Sequence, residues 1–198
     1  MTMFGKICTA MITPFDAKGN IDFQKTEILI EYLLNHGTES LVVSGTTGEA
    51  PTLTTEEKIA LIKHVVKVVA GRVPVIAGTG GNNTKATIEL TKRAEEIGAD
   101  AVMLVAPYYN KPNQEGLYEH FKSVAENTKL PVMLYNIPGR TGVNIETETV
   151  VALSRIPNIV AIKDASGNLN QMARIIANTP RDFALYSGDD SLALPVLA

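Results

Sequence analysis

The sequence predicts an α/β protein of the parallel (β/α)8-barrel type, a TIM barrel, and three observations predict it. Short apolar strands alternate with amphipathic helices along the whole chain. The strands are nearly continuous apolar runs rather than alternating ones, as expected where helices cover a parallel sheet. Polar, small-residue motifs follow five different strands, which a closed barrel gathers round one mouth and an open sheet strings along an edge.

The elements follow in order. Strands are expected at about Ile7–Thr13, Ser40–Ser44, Val73–Ala77, Ala101–Ala106, Val132–Asn136, Ile159–Ile162 and Phe183–Tyr186. Helices are expected between them at about Phe23–His36, Thr55–Ala70, Thr84–Ile97, Glu115–Asn127, Glu146–Ser154 and Leu169–Asn178. Thr54, with Glu56 and Glu57 behind it, is a helix start with acids in the first turn. Gly37, Gly71 and Gly98 stand just past helix ends, where a left-handed residue is wanted. "TEEKIALIKHVVKVV" places Ile59, Ile62, Val66 and Val69 on one stripe. Seven strands are read where a closed barrel needs eight and typically about 250 residues. The expectation is therefore one barrel domain over residues 1–198, truncated at its C-terminus.

Bulk properties exclude several classes. The 198 residues suffice for one sizeable core, and the composition is that of a globular protein. A net charge of -3 gives no basic footprint for nucleic acid. No apolar run approaches a membrane span. The first residues read as a strand rather than a signal peptide, since Pro14 and Asp16 come early and no cleavage site follows, so a cytoplasmic protein is expected. The single Cys8 allows no internal disulfide. His36, His64 and His120 are far apart, without metal-ligand spacing, and are expected at the helix surface. No metal is expected.

The candidate chemistry begins at "NIVAIKDASGN", where an apolar strand runs into Lys163. A snorkelling surface lysine is one reading. The other is a nucleophile: a neutral amine attacks a ketone to give a Schiff base, and burial at a strand end raises the neutral fraction of a group whose reference pKa is about 10.4. Imine chemistry also moves protons. With no histidine at a strand end, Tyr135, closing the preceding strand, is the candidate shuttle, helped by a hydroxyl such as Thr46. "SGTTGE" offers Thr46 and Thr47 between glycines, with N–H groups and hydroxyls suited to a carboxylate. Arg140 in "PGRTG" is a candidate clamp for a second carboxylate, the other reading being a surface arginine on a loop. "GTGGNN" lacks phosphate-loop spacing, and Asp189 and Asp190 read as a cap rather than a metal pair.

"TAMITPF", "GTTGE", "PYYN", "YNIPGRTG", "IKDASG" and "SGDD", in this order and spacing over essentially the whole chain, resemble the dihydrodipicolinate synthase branch of the N-acetylneuraminate lyase superfamily. The resemblance implies a class I aldolase-type barrel whose eighth strand and C-terminal helical region are missing here. It implies Lys163 as the Schiff-base lysine for pyruvate, and Tyr135 as the proton shuttle in a relay with Thr46 and Tyr109. Tyr109 would reach into a neighbouring subunit's site. Thr47 would hold the pyruvate carboxylate, Arg140 the carboxylate of L-aspartate 4-semialdehyde, and Gly188 would make a main-chain contact. The implied reaction forms 4-hydroxy-tetrahydrodipicolinate on the route to lysine, without a cofactor, in a homotetramer built as a dimer of dimers. Thr55, Lys58 and Ala86 depart from the pattern of lysine-inhibited members, which implies weak or absent feedback. The alternatives are a pyruvate-dependent aldolase for another aldehyde, of the 2-keto-3-deoxy sugar acid or sialic acid type, and an inactive barrel fragment.

Overall fold

A computed structural model describes residues 3–197. The chain divides into two compact units, Met1–Thr79 with Leu90–Met103, and Gly80–Glu89 with Leu104–Ala198.

The first unit contains β1 (Cys8–Ala10), α1 (Phe23–Asn35), β2 (Ser40–Val43), α2 (Thr55–Val69) and β3 (Val75–Gly78). It also holds most of α3 (Thr84–Glu96) and the start of β4 (Ala101–Val105). β1 to β4 pair in parallel in chain order, with Thr9 opposite Leu41, Val42 opposite Ile76 and Ala77 opposite Val102. The side chains of β2 and β3, and those of β4 up to Leu104, are buried on both faces, which is why these runs are apolar without alternation. β3 starts two residues later than expected, because Pro74 has no N–H for the ladder. α2 opens with a full capping box: Thr54 Oγ1 accepts the Glu57 N–H at 3.2 Å, and the Glu57 carboxylate accepts the Thr54 N–H at 2.8 Å. Its buried stripe is Leu61, Ile62, Val65 and Val69, so Ile59 and Val66 flank the core instead of forming its centre line. Gly37, Gly71 and Gly98 take positive φ as expected.

The second unit contains α4 (Gln114–Ala125), β5 (Val132–Asn136), α5 (Pro138–Thr141), α6 (Thr147–Leu153), β6 (Ile159–Asp164), α7 (Leu169–Asn178), β7 (Ala184–Ser187) and α8 (Ala193–Leu197). β5, β6 and β7 pair in parallel in chain order. β6 runs two residues beyond its expected end, so Lys163 and Asp164 belong to the ladder and not to a turn. Phe121, Leu134, Val150, Ile162 and Ile175 are fully buried between sheet and helices, each contributing roughly 1.5–3 kcal/mol through removal from water. His120 departs from the expected surface position. It is 5% exposed on α4, its Nδ1 lies 2.9 Å from Thr84 Oγ1, and burial pushes its pKa down to about 4.

Seven strands stand among the described residues, the number read from the sequence. No described helix is long and apolar enough to cross a membrane.

Candidate active site

Lys163 and Tyr135 face each other. They are register partners on neighbouring parallel strands, and the lysine Nζ lies 4.6 Å from the centre of the tyrosine ring. At that distance the ring face attracts an ammonium group. Tyr135 is almost fully buried and Lys163 half-buried. A half-buried lysine at a strand end, packed along a buried aromatic, is not the snorkelling surface residue of the alternative reading. Tyr186 of β7 is the register partner of Lys163 on its other side. Nothing in the sequence marks Tyr186 except its position two residues before "GDD".

Gly188 closes over the same lysine. A Cβ built there would come 3.2 Å from Lys163 Cε and 2.8 Å from Ala165 Cβ, so only glycine lets the loop pass. Its N–H donates to the Asp164 carbonyl at 2.7 Å, which ties the loop after β7 to the end of β6. Lys163, Tyr135 and Gly188 are therefore brought together.

Arg140 lies in the single-turn α5 directly after β5, and its side chain is exposed. Tyr109 stands 89% exposed with φ +74°, left-handed backbone that a bulky aromatic rarely adopts. Neighbouring amides brace that loop: Asn82 Nδ2 donates to the Tyr108 carbonyl, and Asn110 Nδ2 donates to the Asn82 carbonyl, both at 3.2 Å.

Thr46 and Thr47 belong to the first unit. Both are exposed on a tight turn after β2, closed by Glu49 N–H to the Thr46 carbonyl at 3.0 Å and Ala50 N–H to the Gly45 carbonyl at 3.2 Å. Thr13 fixes the turn by donating its hydroxyl to the Gly48 carbonyl at 2.7 Å, a role its sequence gives no hint of. The start of "GTGGNN" has a steric explanation: a Cβ on Gly78 would lie 2.3 Å from the Ser44 carbonyl oxygen. Asp189 Oδ1 accepts the Ser191 N–H at 3.0 Å, the local cap expected of it. Among the described residues no group of three or more His, Cys, Asp or Glu is placed to hold a metal.

A parallel β/α fold with a strand-end lysine set against a strand-end tyrosine defines a barrel protein of the aldolase type. The chain belongs to the dihydrodipicolinate synthetase family, whose model matches residues 3–198. It is 68% identical over 194 residues to the 4-hydroxy-tetrahydrodipicolinate synthase of Bacillus velezensis, covering 98% of this chain and 67% of that one. Among solved structures, dihydrodipicolinate synthase DapA-2 of Bacillus anthracis matches with TM-score 0.98 and 65% identity, over 100% of this chain and 68% of that one. The chloride-inhibited dihydrodipicolinate synthase of Acinetobacter baumannii, solved in complex with pyruvate, matches with TM-score 0.95 and 49% identity, over 99% and 67%. The chain thus spans about two thirds of the length of the relatives it matches. The barrel class and the family expected from the sequence are borne out. The expected function, a lyase-type synthase of lysine biosynthesis, is the one this family carries.

Proposed function

We propose that this chain condenses pyruvate with L-aspartate 4-semialdehyde to give 4-hydroxy-tetrahydrodipicolinate, through a Schiff base on Lys163. The observation that carries the reading is the Lys163–Tyr135 pair, with the amine 4.6 Å from the ring centre at the ends of adjacent strands. The pyruvate complex of the Acinetobacter baumannii relative supports the choice of keto acid.

In this reading the neutral Lys163 amine attacks the pyruvate carbonyl carbon, and the oxygen leaves as water to give an imine. The imine nitrogen takes up the electron pair released when the methyl group loses a proton, so no cofactor is required. The resulting enamine carbon bonds to the aldehyde carbon and the new alkoxide takes a proton; the amino group of the semialdehyde then attacks the imine carbon, which closes the ring and expels the Lys163 amine. By the family resemblance Tyr135 moves these protons, with Thr46 and Tyr109 as its relay partners. By the same resemblance Thr47 holds the pyruvate carboxylate, the Gly188 main chain makes a contact near the site, and Arg140 receives the semialdehyde carboxylate.

Tyr109 gives this reading its oligomeric part. An aromatic residue at φ +74° and 89% exposed carries a backbone cost of order 1–3 kcal/mol with little packing to offset it. Insertion into a second copy's site would supply that packing, in a homotetramer arranged as a dimer of dimers. A cytoplasmic location belongs to the same proposal.

Borohydride reduction in the presence of pyruvate tests the chemistry. The expected outcome is a single pyruvate-derived mass gain on the peptide containing Lys163, lost in Lys163→Ala. An adduct on another lysine, or none, overturns the reading.

A further inference from the structure

The reverse side of the lysine–tyrosine pair carries the inference, which rests on the Schiff-base reading. One residue beyond Tyr135 and Lys163, Asn136 and Asp164 are register partners and both are 0% exposed. Strand alternation turns them to the opposite face, into the layer between sheet and helices. A carboxylate there is costly unless its oxygens are fully engaged. Asp164 meets that demand with N–H donors: Ser166 N–H at 2.8 Å on one oxygen, Asn136 Nδ2 and Gln171 Nε2, each at 3.2 Å, on the other.

The donors form one connected cluster. Asn136 Nδ2 also donates to Asn144 Oδ1 at 2.8 Å, and Asn136 Oδ1 accepts the Ile145 N–H at 3.0 Å. Asn144 Nδ2 donates to Gln171 Oε1 at 2.9 Å. The cluster thereby joins β5, β6, the segment before α6 and the first turn of α7.

The β5–β6 ladder is irregular at the end away from the site. Val132 pairs with Ile159 but Met133 pairs with Ala161, so β6 carries an extra residue, Val160, at the far end. A slip of one residue would exchange the two faces, burying Lys163 and turning Asp164 toward the site. Such a slip breaks every side-chain bond of the cluster. Asp164 acts on the lysine a second way, since its carbonyl accepts the N–H of Gly188, the residue lying against Lys163 Cε.

We propose that Asp164 is a positioning residue: with Asn136, Asn144 and Gln171 it clamps the ends of β5 and β6 from behind, fixing where the Lys163 amine stands against Tyr135.

The test compares rates of borohydride-trapped pyruvate adduct at Lys163, at saturating pyruvate, with the pyruvate half-saturation concentration read alongside. The variants are Asp164→Ala, the milder Gln171→Ala, and Leu153→Ala as a control. Leu153 is fully buried on α6 and outside the cluster. All are assayed at a temperature where each is folded, beside their thermal midpoints. Asp164→Ala should trap about tenfold more slowly than wild type and Gln171→Ala about threefold, as expected for a displaced reacting group. Leu153→Ala should lose thermal stability yet trap at the wild-type rate. Asp164→Ala and Gln171→Ala trapping as fast as Leu153→Ala overturns the inference. If Asp164→Ala does not fold, Gln171→Ala decides on the same comparison. A wild-type chain that forms no adduct overturns the Schiff-base reading and this inference with it.

Discussion

The two faces of the β5–β6 end solve opposite problems with residues one position apart. On one face Lys163 and Tyr135 meet through a ring contact, and the lysine is only half-buried. On the other, Asn136 and Asp164 are closed off, and every cluster bond described above joins a donor to an acceptor. The contrast shows how a parallel sheet can hold a charged side chain at a strand end without enclosing it. Rigidity is placed behind the strand, where hydrogen bonds to buried groups are strong, and the lysine side chain projects from the opposite face.

The largest effect expected from breaking the contrast lies on the open face. Tyr135→Phe keeps the ring beneath the lysine and removes only the hydroxyl. If the phenol moves protons, turnover should fall about 10²- to 10³-fold, within the range for a lost general acid–base group. Borohydride should still trap pyruvate on Lys163, because the ring and strand are unchanged. Steady-state rates beside trapping give the answer, and a variant turning over near the wild-type rate removes Tyr135 from the mechanism.

A buried polar group elsewhere in the same unit sharpens the comparison, because it is satisfied on one side only. His120 bonds Thr84 through Nδ1, while its Nε2 is buried with no hydrogen-bond partner. Burial holds its pKa at about 4, below the 6.5 of the unfolded chain. Its neutral form therefore supports the fold fully above pH 6.5. As pH falls from 6.5 toward 4, the unfolded chain takes up a proton that the folded chain refuses, and stability drops. The loss should reach about 2 kcal/mol by pH 5. Urea unfolding at pH 7.5 and pH 5 reads it, and His120→Asn should shrink the difference between the two. An unchanged difference rules His120 out as its source.

Much of this was legible in the chain, for identifiable reasons. Period and punctuation give the strand and helix order, because parallel strands must be apolar on both faces and helix caps need particular residue types. Lys163 and Tyr135 stand out because a charged or amphipathic group ending an apolar run is chemically conspicuous. Asp164 does not, since a polar residue after an apolar run looks like the start of a turn, and nothing marks Asn136, the expected last residue of its strand, as its partner. Gln171 and Asn144 lie 27 positions apart, and no local pattern foretells their bond. The stripe on α2 was misplaced because its apolar residues are dense enough to fit several helical faces. His120 was expected at the surface because residue type alone does not reveal which helix face is covered.

The smallest expected effect joins the two faces. Gly188 bonds the Asp164 carbonyl and lies against the aliphatic end of Lys163. In Gly188→Ala the new methyl meets Ala165 Cβ at 2.8 Å and Lys163 Cε at 3.2 Å. Ala165 follows directly on the clamped Asp164 and has no rotamer with which to yield. The displacement should fall on the loop and on the lysine chain, while the β5–β6 register stays as it is. The predicted result is a roughly three- to tenfold loss in trapping rate, as expected for a small misplacement of a reacting group. The thermal midpoint should fall less than in Asp164→Ala. If Gly188→Ala instead destabilises the fold as much as Asp164→Ala, the loop after β7 is part of the clamp, and the rigid region reaches round to the open face.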